Sequence, residues 1–282
     1  MITLKAYAKI NIGLRILNKR PDGYHNIETI FHRINLYDIL EISENDEISL
    51  NIQGINLPTN EDNICIKTVK LFQNNFGIRS GIRLKLIKNI PIGAGLGGGS
   101  SDAGILLKAL PKFFNIQISN HSLNKLAQQL GADVPYFLND GSAYATEKGD
   151  KLEYFKLSLP YWIITITPPI QISSKWAYEN FTIDNSIKIQ DNLKNLLLNN
   201  INNKENLKEF VKNDFEKLVF DKYPEIKVIK EKLYSYGVDY ASLSGSGSTV
   251  FAFCKEEELF RKIYEYFKKD YYISITEPNF EP

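Results

Sequence analysis

The residues best suited to do chemistry in this 282-residue chain form a glycine-rich run that follows Pro91. Five glycines and two serines lie between Gly93 and Ser101, and a helical pattern, Ala103–Leu110, begins directly afterwards. Glycine lets a backbone turn so that consecutive N–H groups face one point. The start of a helix adds unpaired N–H groups and the positive end of the helix dipole. The run therefore predicts a phosphate-binding loop.

Two well-known phosphate motifs fit this run poorly. A Walker-type loop requires lysine after the last glycine, where this chain has Ser100 and Ser101. The spacing Gly93–Gly98 matches the dinucleotide pattern G-x-G-x-x-G, which is weak on its own. A Rossmann unit would continue into a strand that ends in an acidic residue, whereas this chain continues into a second helical pattern, Ser122–Leu130. The sequence therefore does not favour a nicotinamide-binding protein.

A lysine and an asparagine near the amino terminus are candidates for the chemistry itself. Lys9 and Asn11 stand two residues apart in an alternating segment, Thr3–Ile16, so both side chains project from one face of a strand. The default interpretation of such a face is a solvated polar surface. The small residues Ala6 and Ala8 beside Lys9 are one feature against this interpretation, because they would leave space nearby.

Three further polar features each allow two interpretations. Asp133, which precedes Val-Pro, suits a helix N-cap, and it is also placed to accept a proton from a hydroxyl group. Asp102 is interpreted as serving the dipole of the helix after the glycine run, rather than a magnesium ion. The segment Ser244–Ser248 is typical of a hairpin turn and equally suits close approach to a polar ligand.

Composition sets the class of protein. A hydrophobic content of 43% and a net charge of +1 indicate an ordinary globular protein, for which no nucleic-acid or membrane partner is expected. The apolar stretch Tyr161–Thr167 is too short to span a bilayer, and no leader pattern precedes the first strand. Cys65 and Cys254 predict buried free thiols in a reducing cytoplasm. No residues have metal-ligand spacing, so no protein metal site is expected, and the chain is expected to be a monomer or weak dimer.

Strand and helix patterns alternate without a regular β-α-β rhythm, which favours the α+β class over a doubly wound sheet. A shift in composition predicts an N-terminal domain, 1–157, and a C-terminal domain, 158–282. The Asn- and Leu-rich stretch Asp184–Asn206 predicts a loosely packed surface helix with no assigned role.

Three segments, Ala6–Leu14, Pro91–Ala103 and Ser244–Phe251, resemble the motifs of the GHMP small-molecule kinases in order and separation. The resemblance implies a two-domain α+β architecture with mixed and antiparallel sheets and an active site in the cleft between the domains. It implies phosphoryl transfer from ATP, with Mg²⁺ carried by the nucleotide. The segments Arg20–His25 and Gly131–Pro135 are similar to those of members that phosphorylate the C2 hydroxyl of a cytidyl-linked methylerythritol, for non-mevalonate isoprenoid synthesis.

The resemblance also implies residue roles. Lys9 and Asp133 match the catalytic pair, in which Lys9 keeps Asp133 ionised and Asp133 accepts the hydroxyl proton. The ATP site would comprise Asn63, Lys88, Pro91, Gly93, Gly95, Leu96, Gly97, Gly98, Gly99, Ser100 and Ser101. The substrate site would comprise Asn11, Tyr24, His25, Phe31, Tyr178, Gly245 and Ser246, with His25 and the aromatic rings around cytosine.

Two alternatives stay open. One is another GHMP kinase with a smaller alcohol substrate, which would not depend on the cytidine group. The other is a nucleotide-binding protein that has lost catalysis, against which the presence of both Lys9 and Asp133 argues.

Overall fold

A computed structural model describes residues 1–183 and 191–282 and divides the chain into two compact units. Unit 1 comprises Met1–Ala8, Leu36–Pro91 and Gly97–Asp140, and unit 2 comprises Lys9–Asn35, Ile92–Leu96 and Gly141–Pro282. The two long first strands, β1 (Ile2–Lys19) and β2 (His25–Asn45), pair with each other and contribute residues to both units. The domain boundary expected after Leu157 stays a prediction.

Unit 1 combines a mixed sheet with helices. Strand β3 (Ser49–Gln53) runs parallel to β4 (Gly81–Ile87), which is antiparallel to the second half of β2. The helices are α1 (Ile64–Phe76), α2 (Gly98–Phe113), α3 (Asn120–Leu130) and a 3-10 helix, Val134–Leu138. The core of unit 1 includes Leu40, Ile42, Val69, Phe72, Leu84, Leu106, Leu107 and Leu110. The leucines of α2 recur at helical spacing, so burying them fixes which face of the helix meets the core.

Unit 2 contains two antiparallel arrangements of strands. The first half of β2 pairs with β5 (Ser142–Thr146), which forms a hairpin with β6 (Lys151–Phe155). A second sheet has the order β10 (Tyr272–Thr276), β7 (Trp162–Thr167), β9 (Val250–Cys254), β8 (Tyr240–Leu243). The helices are α4 (Ser174–Asn180), α5 (Leu193–Asn200), α6 (Lys204–Phe210), α7 (Phe215–Lys222), α8 (Pro224–Ser235) and α9 (Glu257–Phe267). The α+β class is therefore confirmed, and none of the helices in the described ranges is long and apolar enough to cross a membrane.

The Asn- and Leu-rich stretch differs from its prediction. Residues 184–190 lie outside the described residues, and the rest of the stretch forms α5 and the start of α6. Leu193 and Leu197 of α5 are fully buried, so the prediction of a loosely packed surface helix is wrong for α5. Asn192 and Asn203 cap the two helices with their side chains. Helix capping therefore accounts for some of the asparagines in this stretch.

The close approach of α2 to the 3-10 helix depends on Gly104. A Cβ atom at this position would lie 2.5 Å from the Cβ of Phe137 and 3.1 Å from the carbonyl oxygen of Val134. Both residues belong to the 3-10 helix that begins after Asp133, so the absence of a side chain at Gly104 allows this helix to pack closely on α2.

We predict that Gly104→Ala destabilises the protein, although alanine is favoured over glycine in a helix by about 1 kcal/mol. Overpacking against Phe137 should exceed that gain and lower the free energy of unfolding by roughly 1–3 kcal/mol in urea titrations. Gly99→Ala in the same helix is the control, because its Cβ would meet only Ile64, at 3.9 Å. Equal stability of the two variants would contradict the prediction.

His32 is a buried titratable group on β2, with no role assigned from the sequence. Its Nδ1 lies 2.8 Å from the hydroxyl of Ser142, and burial lowers its pKa to about 4. Because the fold favours the neutral ring, the folded protein binds fewer protons than the unfolded chain between pH 6.5 and 4.

We predict that the stabilisation associated with neutral His32 is fully present above about pH 6.5 and is lost as the pH falls towards 4. The loss is on the order of 3 kcal/mol in the free energy of unfolding. Urea titrations at a series of pH values should show that the free energy of unfolding depends less steeply on pH in His32→Gln than in the wild type. His121→Gln serves as the control because His121 is exposed, and its slope should match that of the wild type.

Candidate active site

In unit 2, the first half of the glycine run is held by its carbonyl groups. The oxygens of Gly93, Ala94, Gly95 and Leu96 accept hydrogen bonds, in that order, from Ile172 N (2.9 Å), Thr249 N (3.1 Å), Ser244 Oγ (2.8 Å) and Lys9 N (3.0 Å). Within residues 1–183 and 191–282, no acceptor is found for the backbone N–H groups of residues 93–100. A peptide whose carbonyl is bound on one side presents its N–H on the other, which is the arrangement that an anion requires.

Gly95 is a position where only glycine fits. Its φ is +76°, and a Cβ atom would lie 2.0 Å from the carbonyl oxygen of Ser244. Both the left-handed conformation and the close approach therefore require glycine here. The contact with the Ser244 segment explains why glycine occupies this position of the predicted phosphate loop.

In unit 1, the second half of the run opens α2. Gly97 is the N-cap, with φ +67° and no side-chain cap, so the first N–H groups of α2 receive no side-chain acceptor. The hydroxyl of Ser101 donates to the carbonyl of Tyr7 at 2.7 Å, and the N–H of Ser101 donates to Gly97. Ser101 thus anchors the loop, while the N–H groups before it stay available to a ligand.

Lys9 and Asn11 lie together on β1, and both are buried, with exposed fractions of 4% and 3%. The ammonium of Lys9 donates to Asn11 Oδ1 at 2.6 Å and lies 4.7 Å from the centroid of the Phe31 ring. The prediction that they share one face is confirmed, and the interpretation of that face as a solvated surface is wrong. A buried ammonium held by an amide oxygen and an aromatic face is placed to attract anionic oxygen atoms.

The Ser244–Ser248 segment joins β8 to β9, which confirms the hairpin interpretation. It also lies against Asn11, whose N–H donates to Ser244 Oγ at 3.2 Å and whose Oδ1 would lie 3.1 Å from a Cβ at Gly245. The hydroxyl of Ser246 lies 3.0 Å from that of Ser174. Contact of Gly245 and Ser246 with a substrate stays a prediction.

Sequence reasoning missed Asn213, which fixes the shape of the hairpin. Its buried amide donates to the carbonyls of Leu243 and Gly245, each at 2.8 Å, and accepts from the N–H of Phe215. No local pattern marks this residue, because the two carbonyls to which it donates lie about 30 positions away.

Two of the rings predicted to surround a base come together in unit 2. The rings of His25 and Tyr178 stack at 5.4 Å with an angle of 16°. Burial, together with the charge of Lys19, lowers the pKa of His25, which favours the neutral ring. Tyr24 is 57% exposed and lies under the ammonium of Lys148, whereas Phe31 is buried. Contact of Tyr24 and Phe31 with a base stays a prediction.

Asp133 directly precedes the 3-10 helix of unit 1, and its side chain makes no capping hydrogen bond. The prediction that Asp133 is the N-cap residue with proline in the first turn is confirmed, but its side chain does not make the capping bond. The proton-acceptor interpretation of Asp133 stays a prediction.

Asn63 holds the start of α1. Its Oδ1 accepts from Cys65 N at 2.9 Å, and its Nδ2 donates to the carbonyl of Pro58 at 2.8 Å. The next residue, Ile64, lies beside Gly99 of the glycine run. The structure therefore places Asn63 near the phosphate loop with its amide already bonded, and contact with adenosine stays a prediction.

Lys88, also predicted on the ATP side, lies in a buried charge network. Its ammonium pairs with Asp102 at 2.8 Å and, at shorter range, with Asp38. Asp38 also accepts from the N–H groups of Asn89 (2.6 Å) and Ile90 (2.8 Å). The network joins three elements: β2, α2 and the segment that follows β4. It lies next to Gly98, where a Cβ atom would be 3.0 Å from Lys88 Nζ.

The structure corrects the interpretation of Asp102. This carboxyl is buried, lies beyond the first turn of α2 and pairs with Lys88, so the interpretation that it serves the dipole of α2 is wrong. Burial raises the pKa of this carboxyl, and the charge of Lys88 opposes that shift. Burial alone would lower the pKa of Lys88, but Asp102 and Asp38 more than offset this and raise it. In the part of the chain that the structure describes, no group of three or more His, Cys, Asp or Glu side chains is placed to hold a metal ion.

We predict that Lys88→Met lowers the free energy of unfolding by about 3–5 kcal/mol, because it leaves buried carboxylates without their cation. Lys85→Met on the adjoining strand removes a half-exposed pair with Glu41 and should cost less than about 1 kcal/mol. Denaturant titration of both variants makes the comparison, and equal losses would contradict the structural importance of the Lys88 network.

Comparison with known proteins places this geometry in a family. The N-terminal domain model of GHMP kinases matches residues 63–141, and the C-terminal model matches residues 191–273. A 4-diphosphocytidyl-2-C-methyl-D-erythritol kinase from Prosthecochloris aestuarii is 43% identical over 281 residues, covering 99% of this chain and 98% of the relative. One from Chlorobium chlorochromatii is 44% identical, covering 98% and 96%.

Solved structures agree with this assignment. A crystal structure of 4-(cytidine 5'-diphospho)-2C-methyl-D-erythritol kinase matches with a TM-score of 0.82 and 29% identity, covering 98% of both chains. Homoserine kinase from Cytophaga hutchinsonii matches in fold, with a TM-score of 0.69 at 19% identity over 97% of this chain and 95% of that chain. The two-domain fold expected from the sequence is thus that of a known family of phosphotransferases, and the chain belongs to the GHMP kinases.

Proposed function

We propose that this protein transfers the γ-phosphoryl group of ATP to the C2 hydroxyl of 4-diphosphocytidyl-2-C-methyl-D-erythritol, giving the 2-phosphate and ADP. The reaction belongs to the non-mevalonate route to isoprenoid precursors. Relatives of that name align over nearly the whole chain. The observation that carries the chemistry is the glycine loop, whose carbonyls are bound within unit 2 and whose N–H groups are open.

Phosphoryl transfer mainly requires that the two substrates be positioned and that charge on the transferred group be neutralised. Residues Gly93–Ser100 offer their N–H groups to the triphosphate, and the start of α2 adds its dipole. Mg²⁺ carried by the nucleotide neutralises phosphate oxygens. No protein group for holding the metal is proposed.

Lys9 and Asp133 are proposed to act on the reacting atoms. The ammonium of Lys9, fixed by Asn11 and Phe31, stabilises negative charge on the transferred phosphoryl group. Asp133 orients the C2 hydroxyl and accepts its proton as the new O–P bond forms and the bond to the β-phosphate oxygen breaks.

The stacked pair His25 and Tyr178 is proposed to bind the cytosine ring. A base that stacks on an aromatic face gains about 1–3 kcal/mol. The neutral ring of His25 can also exchange hydrogen bonds with the base edge. The polar atoms of Asn63 and Lys88 are bonded within unit 1. We propose that both residues stabilise the conformation of the ATP-binding segments. A cytoplasmic location and a monomer or weak dimer stay predictions.

The proposal predicts ADP release that requires the cytidyl substrate and collapses in Asp133→Asn. If Asp133 acts as a general base, kcat should fall by roughly 10²–10⁴. A coupled ADP assay with Mg-ATP makes the measurement. Asp140→Asn is the control, since that carboxylate is largely exposed in a surface ion pair.

The other outcomes are equally informative. Turnover with a simple alcohol but not with the cytidyl substrate would keep the kinase and overturn the substrate. ATP binding without turnover on any alcohol would favour the non-catalytic nucleotide-binding protein.

A further inference from the structure

Thr29 is a fully buried residue of β2 to which no role has been assigned. Its hydroxyl lies between two polar groups of unit 2. It donates to the carbonyl of Gly13 at 2.7 Å and accepts from the amide Nδ2 of Asn11 at 2.9 Å. The hydroxyl therefore joins the strand that carries Asn11 to the strand that carries Phe31.

The donor and acceptor chemistry allows one orientation of the Asn11 amide. A carbonyl oxygen can only accept, so the single hydroxyl proton of Thr29 is committed to Gly13. The hydroxyl oxygen must then accept from Asn11, which directs the NH₂ group towards Thr29. The opposite end of the amide, Oδ1, is thereby turned towards the ammonium of Lys9, which can only donate.

This series of hydrogen bonds ends at the charged ammonium group of Lys9. Lys9 Nζ lies 2.6 Å from Asn11 Oδ1 and rests on the Phe31 ring, two residues after Thr29 on β2. The amide reversed by 180° would present NH₂ to an ammonium, which is a repulsive arrangement. Thr29 therefore selects the amide orientation that Lys9 requires.

We propose that Thr29 is a positioning residue that orients the Asn11 amide and, through it, the ammonium of Lys9. The proposal rests on the proposed function for the role of Lys9. Thr29 does not contact the reacting atoms itself; it acts through Asn11. The competing interpretation is that Thr29 is one more buried hydroxyl that contributes only to stability.

Two substitutions separate the hydroxyl from the shape of the side chain. Thr29→Val keeps the shape and removes the hydroxyl, whereas Thr29→Ser keeps the hydroxyl. Thr68→Val is the matched control, because Thr68 is equally buried and donates its hydroxyl to the carbonyl of Ile64 at 2.8 Å, within α1 of unit 1.

In Thr29→Val we expect kcat to fall by roughly 10-fold or more, with the KM for ATP changed by less than about 2-fold. Thr29→Ser should stay within about 3-fold of the wild type, and Thr68→Val should keep the wild-type kcat despite a comparable loss of stability. An unchanged kcat in Thr29→Val, or an equal fall in Thr68→Val, would overturn the proposal.

A double-mutant cycle tests whether Thr29 acts through Asn11. In the Asn11→Ala background, Thr29→Val should cause no further fall in kcat, because the amide that it orients is gone. A stability role would instead add the same loss in both backgrounds. That additive result would show that Thr29 acts independently of Asn11, contrary to the proposal.

A third readout does not need turnover. The side-chain amide protons of Asn11, followed by NMR in wild-type protein, should exchange slowly with solvent because they are buried and bonded. Thr29→Val should accelerate their exchange and shift their resonances, whereas Thr68→Val should not. If wild-type protein turns over no alcohol, the proposed function fails, while this experiment still decides whether Thr29 orients Asn11; unchanged Asn11 signals in Thr29→Val would overturn that.

Discussion

A peptide group can present its N–H to a phosphate only if its carbonyl is directed elsewhere and is satisfied there. In this protein the carbonyls of residues 93–96 are satisfied by donors from widely separated segments of unit 2: Lys9, Ile172, Ser244 and Thr249. The glycine run supplies the flexibility, but those donors set its shape. The Ser244 hairpin is held in turn by the amide of Asn213. Much of unit 2 therefore serves to keep one short stretch of backbone facing outward.

Two buried lysines, Lys88 and Lys9, have different surroundings. Lys88 lies between two carboxylates, so its charge is already neutralised, and the network is suited to holding β2, α2 and the segment after β4 together. Lys9 contacts the amide oxygen of Asn11 and the face of Phe31, which position its ammonium within unit 2. The same residue type thus has a structural role in unit 1 and a proposed catalytic role in unit 2.

Local signals predicted much of the candidate site. The spacing of Lys9 and Asn11 placed them on one strand face, and the glycine run before a helical pattern predicted the phosphate loop. Sequence reasoning missed Thr29, Asp38 and Asn213, because each acts through partners far along the chain. It also assigned Asp102 to the dipole of a helix by a local rule for helix ends, whereas the carboxylate pairs with Lys88. For Asp133 the local rule gave the N-cap position but not the absence of a side-chain capping bond.

The α+β class and the family could be predicted from the chain alone, because they depend on periodicity and motif order, whereas the phosphate-binding role of the glycine run stays a prediction. Which polar residues are buried, and what they bond, follows from tertiary packing. Alternation along β1 reports which residues share a face, but it cannot report whether another strand covers that face. Burial of Lys9, Asn11 and Thr29 follows from packing within the fold, and once water is excluded each polar atom must find a partner among the side chains and peptides that the fold brings near.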